Sequence, residues 1–381
     1  MVSKRRAIWL ERPKTRPTTK PGWHAKGDFR LDEVETPQPA AAGVIVRVEA
    51  AMVLSYMGKV LDGSLGYALP PAPFVPGTNA VGIVEQAGSS VLHLRKGERV
   101  FLSPHLVADE RAADPAQILI GLTATGTSRF DGVQSASTTL QSLWRDGVFT
   151  EMAHWPAATL TSLAGLSDLP PERALGLAKL VVPYGGLLRG RLQPGETLIV
   201  NGASGYFGAA GVVVGLAMGA SRVLAAGRDQ AVLERLAGRL GPRVVPVVLG
   251  GGPQADVEAL LAAAGGRLDL ALDLLGQATS TDTTLAALRA RRRGGRLVLM
   301  GSARVPVPLA YGEMLSNDWE VIGAFMYPKD APARLVRLVE AKLLDLGAID
   351  IKRYAFADLP KAIEGAAAMR GLDMTAVVTS G

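Results

Sequence analysis

The chain has 381 residues, 48% hydrophobic and 20% charged, with 41 Lys and Arg against 35 Asp and Glu and a formal charge of +6 at pH 7. That apolar fraction supports a sizeable core and excludes disorder as the main state, and the length suggests two domains or one with a large insertion. The lack of any cysteine excludes disulfides, thiolate zinc sites, iron–sulfur ligation and cysteine nucleophiles.

No continuously apolar run reaches the roughly 18 residues that a membrane span needs, and the longest such stretch, Ala209–Ala220, is short and rich in Gly and Ala. The N-terminal MVSKRRAIWLERPK is basic but lacks the apolar core of about 7–15 residues found in a secretory signal. A cytoplasmic protein without membrane attachment is expected. Arg outnumbers Lys 30 to 11, mostly scattered, and the one dense cluster is Arg289–Arg296. It has no interleaved aromatics and reads as a solvated helix C-terminus whose dipole favours cations, so nucleic acid is not an expected partner.

In chain order, the first ~170 residues read as mostly strand. Ala41–Ala51, Ala80–Gln86 and Arg99–Leu102 alternate apolar and polar residues, separated by the turn clusters Leu69–Gly77, Ala87–Ser90 and Arg95–Glu98. This punctuation suggests a partly open barrel. From Ala108 to Gly147 the pattern loosens into a polar excursion.

From about residue 172 the period changes. Helices are expected over Glu172–Leu188, Tyr206–Gly219, Gln230–Leu240, Gln254–Ala264, Ser280–Arg292 and Ala331–Gly347. Strands are expected over Thr197–Val200, Arg222–Ala226, Val244–Val248, Leu268–Leu272, Arg296–Met300, Glu320–Phe325 and a last run ending in Ala376–Val378. This alternation argues βαβ units and a doubly wound parallel sheet.

The segment TLIVNGASGYFGAAGVVVGLAMGASRVLAA (Thr197–Ala226) runs from a strand into Gly202-x-x-Gly205-x-x-Gly208 and then a helix. Glycines there let the backbone turn sharply and approach a pyrophosphate at the helix N-terminus. The residues Gly202, Ala203, Ser204, Gly205, Tyr206, Phe207 and Gly208 are therefore read as a dinucleotide-binding turn. After the second strand the sequence is Gly227-Arg228-Asp229. Gly227 leaves room for a 2′-phosphate and Arg228 can pair with it, which points to NADPH. Asp229 is the competing reading, since a carboxylate there would serve the ribose of NAD.

With that site placed, PFVPGTNAVGIVEQAGSSVLHLRKGERVF (Pro73–Phe101) together with Leu192–Gly227 resembles the medium-chain dehydrogenase/reductase superfamily. The resemblance implies an α/β chain with a GroES-like β-barrel domain over 1–175 and 327–381 and a Rossmann domain over 176–326. It implies an active site in the cleft between them and a homodimer acting on a small-molecule substrate. It also carries Asp273 and Gly276 over as residues along the cofactor, Gly301 as the next strand end, and Phe325 and Met326 as followers of the strand behind the nicotinamide. Val182 stands where many relatives place a polar Thr.

Zinc-dependent members carry a Gly-His-Glu motif where this chain has Gly77-Thr78-Asn79, and a cysteine where it has Val53-Leu54-Ser55-Tyr56. The four histidines, His24, His93, His105 and His154, rebuild no known zinc spacing. The chain is thus similar to the zinc-free branch of quinone and enoyl reductases, in which hydride addition to an activated alkene develops an enolate that hydrogen-bond donors stabilise. The resemblance places Tyr67 near the tyrosine that reaches substrate in enoyl reductases, with Tyr56 as competitor; Asn79 is read either as orienting substrate or cofactor or as holding a tight turn beside Gly77. The expected activity is NADPH-dependent reduction of an enone, enoyl thioester or quinone. A metal-free carbonyl reductase and a non-catalytic dinucleotide-binding protein are the alternatives.

Overall fold

The computed structural model describes residues 4–11, 28–125 and 131–379. Contacts divide the chain into two units, the first holding 1–178, 351–368 and 374–381, the second 179–350 and 369–373.

In the first unit, β1 (Lys4–Glu11) and β2 (Asp28–Glu35) form an antiparallel ribbon. The main sheet is built around β3 (Gly43–Val53), an eleven-residue strand buried at nearly every position. A short helix, α1 (Met57–Leu61), follows, and then β4 (Ala80–Ala87) and β5 (Arg99–Leu102) continue the sheet. Around the excursion that begins at Ala108, β6 (His105–Val107), β7 (Gln117–Leu119) and β8 (Thr123–Thr125) make a small sheet, and α2 (Asp131–Leu143) follows. With β9 (Met152–Pro156) and β10 (Leu160–Ser162) the sheet order becomes β10-β5-β4-β3, and β9 also pairs with β3. Trp155, Phe74, Phe101 and Phe149 are among its fully buried side chains.

The expected helix over Glu172–Leu188 is two helices, α3 (Pro171–Ala174) and α4 (Leu177–Arg189), because the chain turns at Leu175-Gly176. The second unit is then a six-stranded parallel sheet. Its elements in chain order are β11 (Thr197–Asn201), α5 (Tyr206–Ala217), β12 (Arg222–Gly227), α6 (Gln230–Leu240), β13 (Val244–Val248), α7 (Pro253–Ala264), β14 (Leu270–Asp273), α8 (Asp282–Arg289), β15 (Arg296–Leu299), α9 (Tyr311–Asn317) and β16 (Glu320–Gly323). The strand order β13-β12-β11-β14-β15-β16 reverses direction beside β11, the switch point at which doubly wound sheets bind ligands. The chain closes with α10 (Ala331–Glu340), β17 (Asp350–Ala355), α11 (Leu359–Ala367) and β18 (Asp373–Val378), which pairs antiparallel with β3.

Two expectations are corrected here. The second unit extends past 326 to Asp350, because Leu335 and Val336 of α10 are buried and Arg239 of α6 pairs with Asp350 and donates to the Gly347 carbonyl at 3.0 Å. The expected helix Ala331–Gly347 stops at Glu340, where Lys342 takes φ +58° and Leu343 and Leu344 donate back to the Leu338 carbonyl.

The arginine run is only partly solvated: Arg289, in the last turn of α8, and Arg293 are exposed, while Arg291 and Arg296 are buried. Arg289 pairs with Glu313 at 2.9 Å, Arg292 with Asp269 at 2.6 Å and Arg293 with Asp318 at 2.6 Å, while Arg296 pairs with Glu196. No helix among the described residues is long and apolar enough to cross a membrane.

Candidate dinucleotide site and reductase residues

β11 is buried along most of its length and delivers the chain directly into the glycine turn. Gly202 takes φ +86°, a left-handed conformation that suits glycine, and its N–H and that of Ala203 both donate to the Ala226 carbonyl, at 2.9 and 2.8 Å. The turn is thereby tied to the end of β12. Gly205 is the N-cap of α5 and donates to the Gly202 carbonyl at 2.9 Å. A side chain on Gly208 would overlap that same Gly202 carbonyl, so the first turn of α5 approaches the strand end as only glycine permits. The result is a helix N-terminus, whose first N–H groups have no acceptor within the helix, behind a tight turn, which suits a pyrophosphate.

The other expected cofactor residues gather around this turn by backbone. A Cβ on Gly227 would meet Ser204 Oγ at 2.9 Å, so the glycine is needed for the β12 end to pack against the turn as well as for any room it leaves outside. Gly202 lies against the Leu274 carbonyl, and a Cβ on Gly301 would overlap the Leu275 carbonyl. Gly276 is exposed with open space around it. The ends of β11, β12, β14 and β15 therefore share one rim.

Asp273 is on that rim, but its side chain turns inward. It is 4% exposed, and its Oδ2 accepts from Asn201 Nδ2 at 2.9 Å and Thr284 Oγ1 at 2.6 Å, while Oδ1 accepts from the Leu275 N–H at 3.1 Å. Burial pushes its pKa up against the three hydrogen bonds that lower it. Its carboxylate braces strand ends, and only the backbone after it lies against the turn. Asn201 and Thr284 carry this arrangement and were not singled out in the sequence; Asn201, a polar residue ending an apolar strand, was the available signal.

At the end of β12 the two rival side chains part company. Asp229 accepts from the Val232 N–H at 3.1 Å and caps α6. Arg228 is exposed and makes no hydrogen bond or ion pair among the described residues.

Beyond β16, Phe325 is 55% exposed and Met326 takes φ +53°, rare for a residue with a side chain. The turn packs on α4, where a Cβ on Gly185 would overlap the Met326 carbonyl. Val182 is half-buried on the same helix.

Tyr206 and Phe207, the bulky pair inside the turn, stand edge to face with ring centres 5.0 Å apart. Tyr206 is buried, and its ring receives the ammonium of Lys179, 3.2 Å from the ring centre. Lys179 was not singled out in the sequence, although it is the lone charge before the last residue of an otherwise apolar helix.

In the first unit, Tyr67 is 37% exposed and follows Gly66, which takes φ +66°. Tyr56 is the half-buried N-cap residue of α1, and its carbonyl accepts from the Val60 N–H at 3.1 Å. Asn79 is 5% exposed; its carbonyl accepts from the Met52 N–H at 2.9 Å and its Nδ2 donates to the Leu102 carbonyl at 3.3 Å. That amide ties the start of β4 to the end of β5.

Residues 40–165 match the alcohol dehydrogenase GroES-like domain family. Among curated proteins, human sorbitol dehydrogenase is 25% identical over 90% of this chain and 89% of its own length. Acryloyl-coenzyme A reductase of Metallosphaera sedula is 26% identical over 84% of this chain and 88% of its own. A Sinorhizobium meliloti 1021 structure, described as a zinc-binding dehydrogenase bound to NADP, superposes with a TM-score of 0.73 at 21% identity, covering 99% of this chain and all of the other.

Zinc does not fit the side chains found here. The Thr78 hydroxyl is buried without a partner, and Asn79 presents an amide already donated to Leu102. His93 is exposed, His105 bonds Gln117 at 2.9 Å, and His154 accepts from the Ala40 N–H at 3.1 Å. His24 lies outside the described residues. Among the described residues no three of His, Cys, Asp and Glu are grouped to hold a metal.

Proposed function

We propose that this chain, whose residues 40–165 match the alcohol dehydrogenase GroES-like domain, is a medium-chain dehydrogenase/reductase that works as a zinc-independent, NADPH-dependent reductase of activated C=C bonds (enones or enoyl thioesters) or quinones. One observation carries the reaction type: the Gly77-Thr78-Asn79 segment offers no metal-binding donor set. Reduction of an isolated ketone develops an alkoxide that a Lewis acid or proton donor must stabilise at once, whereas a conjugated substrate spreads the charge into an enolate. The similarity to acryloyl-coenzyme A reductase supports the same reading.

Bound at the turn, the reduced nicotinamide supplies the hydride. The first N–H groups of α5, which lack an acceptor within the helix, would hold the pyrophosphate, and the exposed guanidinium of Arg228 would pair with the 2′-phosphate. On the substrate, a new C–H bond at the β-carbon moves the alkene electrons onto the carbonyl oxygen. Tyr67, which is 37% exposed, donates its hydroxyl to that oxygen, with Tyr56 as the alternative donor, and a proton from solvent ends on the α-carbon.

A second reading, ketone–alcohol oxidoreduction, is favoured by the similarity to sorbitol dehydrogenase. NADPH consumption by chelator-treated protein, followed across enones, enoyl thioesters, quinones, simple ketones and keto-sugars, separates the two. Turnover confined to the conjugated compounds supports the proposal, and turnover confined to ketones or keto-sugars supports the second reading. Tight NADPH binding without turnover on any of them would mark a non-catalytic protein.

A further inference from the structure

Helix α4 carries a single charge before its final arginine, and that charge is wholly buried: Lys179 is 0% exposed. An ammonium taken from water must find other partners or lose its proton. Lys179 Nζ donates to the main-chain carbonyl of Asp373 at 2.9 Å and stands 3.2 Å from the centre of the Tyr206 ring. Tyr206 is the first residue of α5, directly after the Gly205 cap, so the amine lies against the turn that faces the pyrophosphate.

The ionisable groups facing the amine are Tyr206 from α5 and Asp373 from the start of β18. Burial raises the Tyr206 phenol, which stays neutral. Burial also holds the lysine well below its ordinary value, with the Asp373 charge opposing that shift. The ring face partly replaces water around the amine when it carries its proton, which accounts for a bulky aromatic residue in a turn made otherwise of small ones.

We propose that Lys179 is a positioning residue of the Gly202–Gly208 turn, and that binding of a dinucleotide pyrophosphate at the N-terminus of α5 draws a proton onto its amine. The inference rests on the dinucleotide reading above. A nearby anion favours the charged lysine, so by reciprocity the charged lysine favours the anion. The proton comes from solvent and no covalent bond to the cofactor forms. NADPH affinity then falls as pH rises through the lysine's cofactor-bound pKa.

The test is calorimetric titration of NADPH in two buffers of different ionisation enthalpy near pH 8, where the 2′-phosphate is already fully ionised. Wild-type protein should take up a measurable fraction of a proton. K179R, permanently charged, should bind without uptake, and its affinity should vary less than about twofold between about pH 7 and 9. K179M should bind about three- to tenfold more weakly than wild type, also without uptake. If methionine fails to fold there, K179R decides alone. Binding by wild type without proton exchange, or equal uptake by K179R, overturns the proposal. Wild-type protein that binds neither NADPH nor NADH overturns the dinucleotide reading itself, a separate and recognisable result.

Discussion

Asn201 donates its side-chain N–H to Asp273 at 2.9 Å, joining the ends of β11 and β14 beneath the glycine turn. The same carboxylate takes Thr284 from α8, so one buried acid fixes two strands and a helix where the dinucleotide is proposed to lie. Removing Asn201 leaves that acid short of a donor. Asn201→Ala is expected to cost about 1–3 kcal/mol of stability, measured by urea unfolding, and to weaken NADPH binding. Unchanged values for both would show that the pair does not support the turn.

Arg228→Ala is expected to raise the NADPH dissociation constant at least about tenfold and to leave NADH binding unchanged. The free guanidinium after β12, beside an Asp229 already spent on capping α6, is the reason. An equal loss for both cofactors, or a wild-type preference for NADH, contradicts the assignment.

Much of the second unit was legible because its signals are local. The strand, glycine turn and helix from Thr197 onward are consecutive in the chain, and the structure places Gln230–Leu240 and Val244–Val248 as the sequence pattern does. What escaped depends on distant partners. Lys179 meets a carbonyl 194 residues away, and the paired arginines between 289 and 296 find carboxylates on other elements. The inward turn of Asp273 was hidden for the same reason: a strand-end aspartate looks alike whether it faces a ribose or a neighbouring helix. The break at Leu175-Gly176 was hidden because the apolar pattern runs through it on both sides.

Tyr67→Phe keeps the ring and removes the hydroxyl. Turnover should fall about 10²–10³-fold with NADPH affinity intact, the scale of losing one donor to a developing oxyanion. A large loss in Tyr56→Phe with none in Tyr67→Phe would move the role to the α1 cap.

Arg291 is 5% exposed, and its two terminal nitrogens have no hydrogen-bond partner among the described residues. Burial, with Arg296 nearby, pushes its pKa down to about 9, the mark of an uncompensated cation. Arg291→Met is expected to raise stability by about 1–3 kcal/mol, read as a higher urea midpoint at unchanged slope. Destabilisation would mean that the guanidinium is satisfied by ordered water.

The central claim concerns where hydride goes. Chelator-treated protein supplied with NADPH deuterated at the transferable position, together with a conjugated enone, should give the saturated ketone with deuterium on the β-carbon. Deuterium on a carbinol carbon, or a reaction that proceeds only after zinc is restored, would contradict the account.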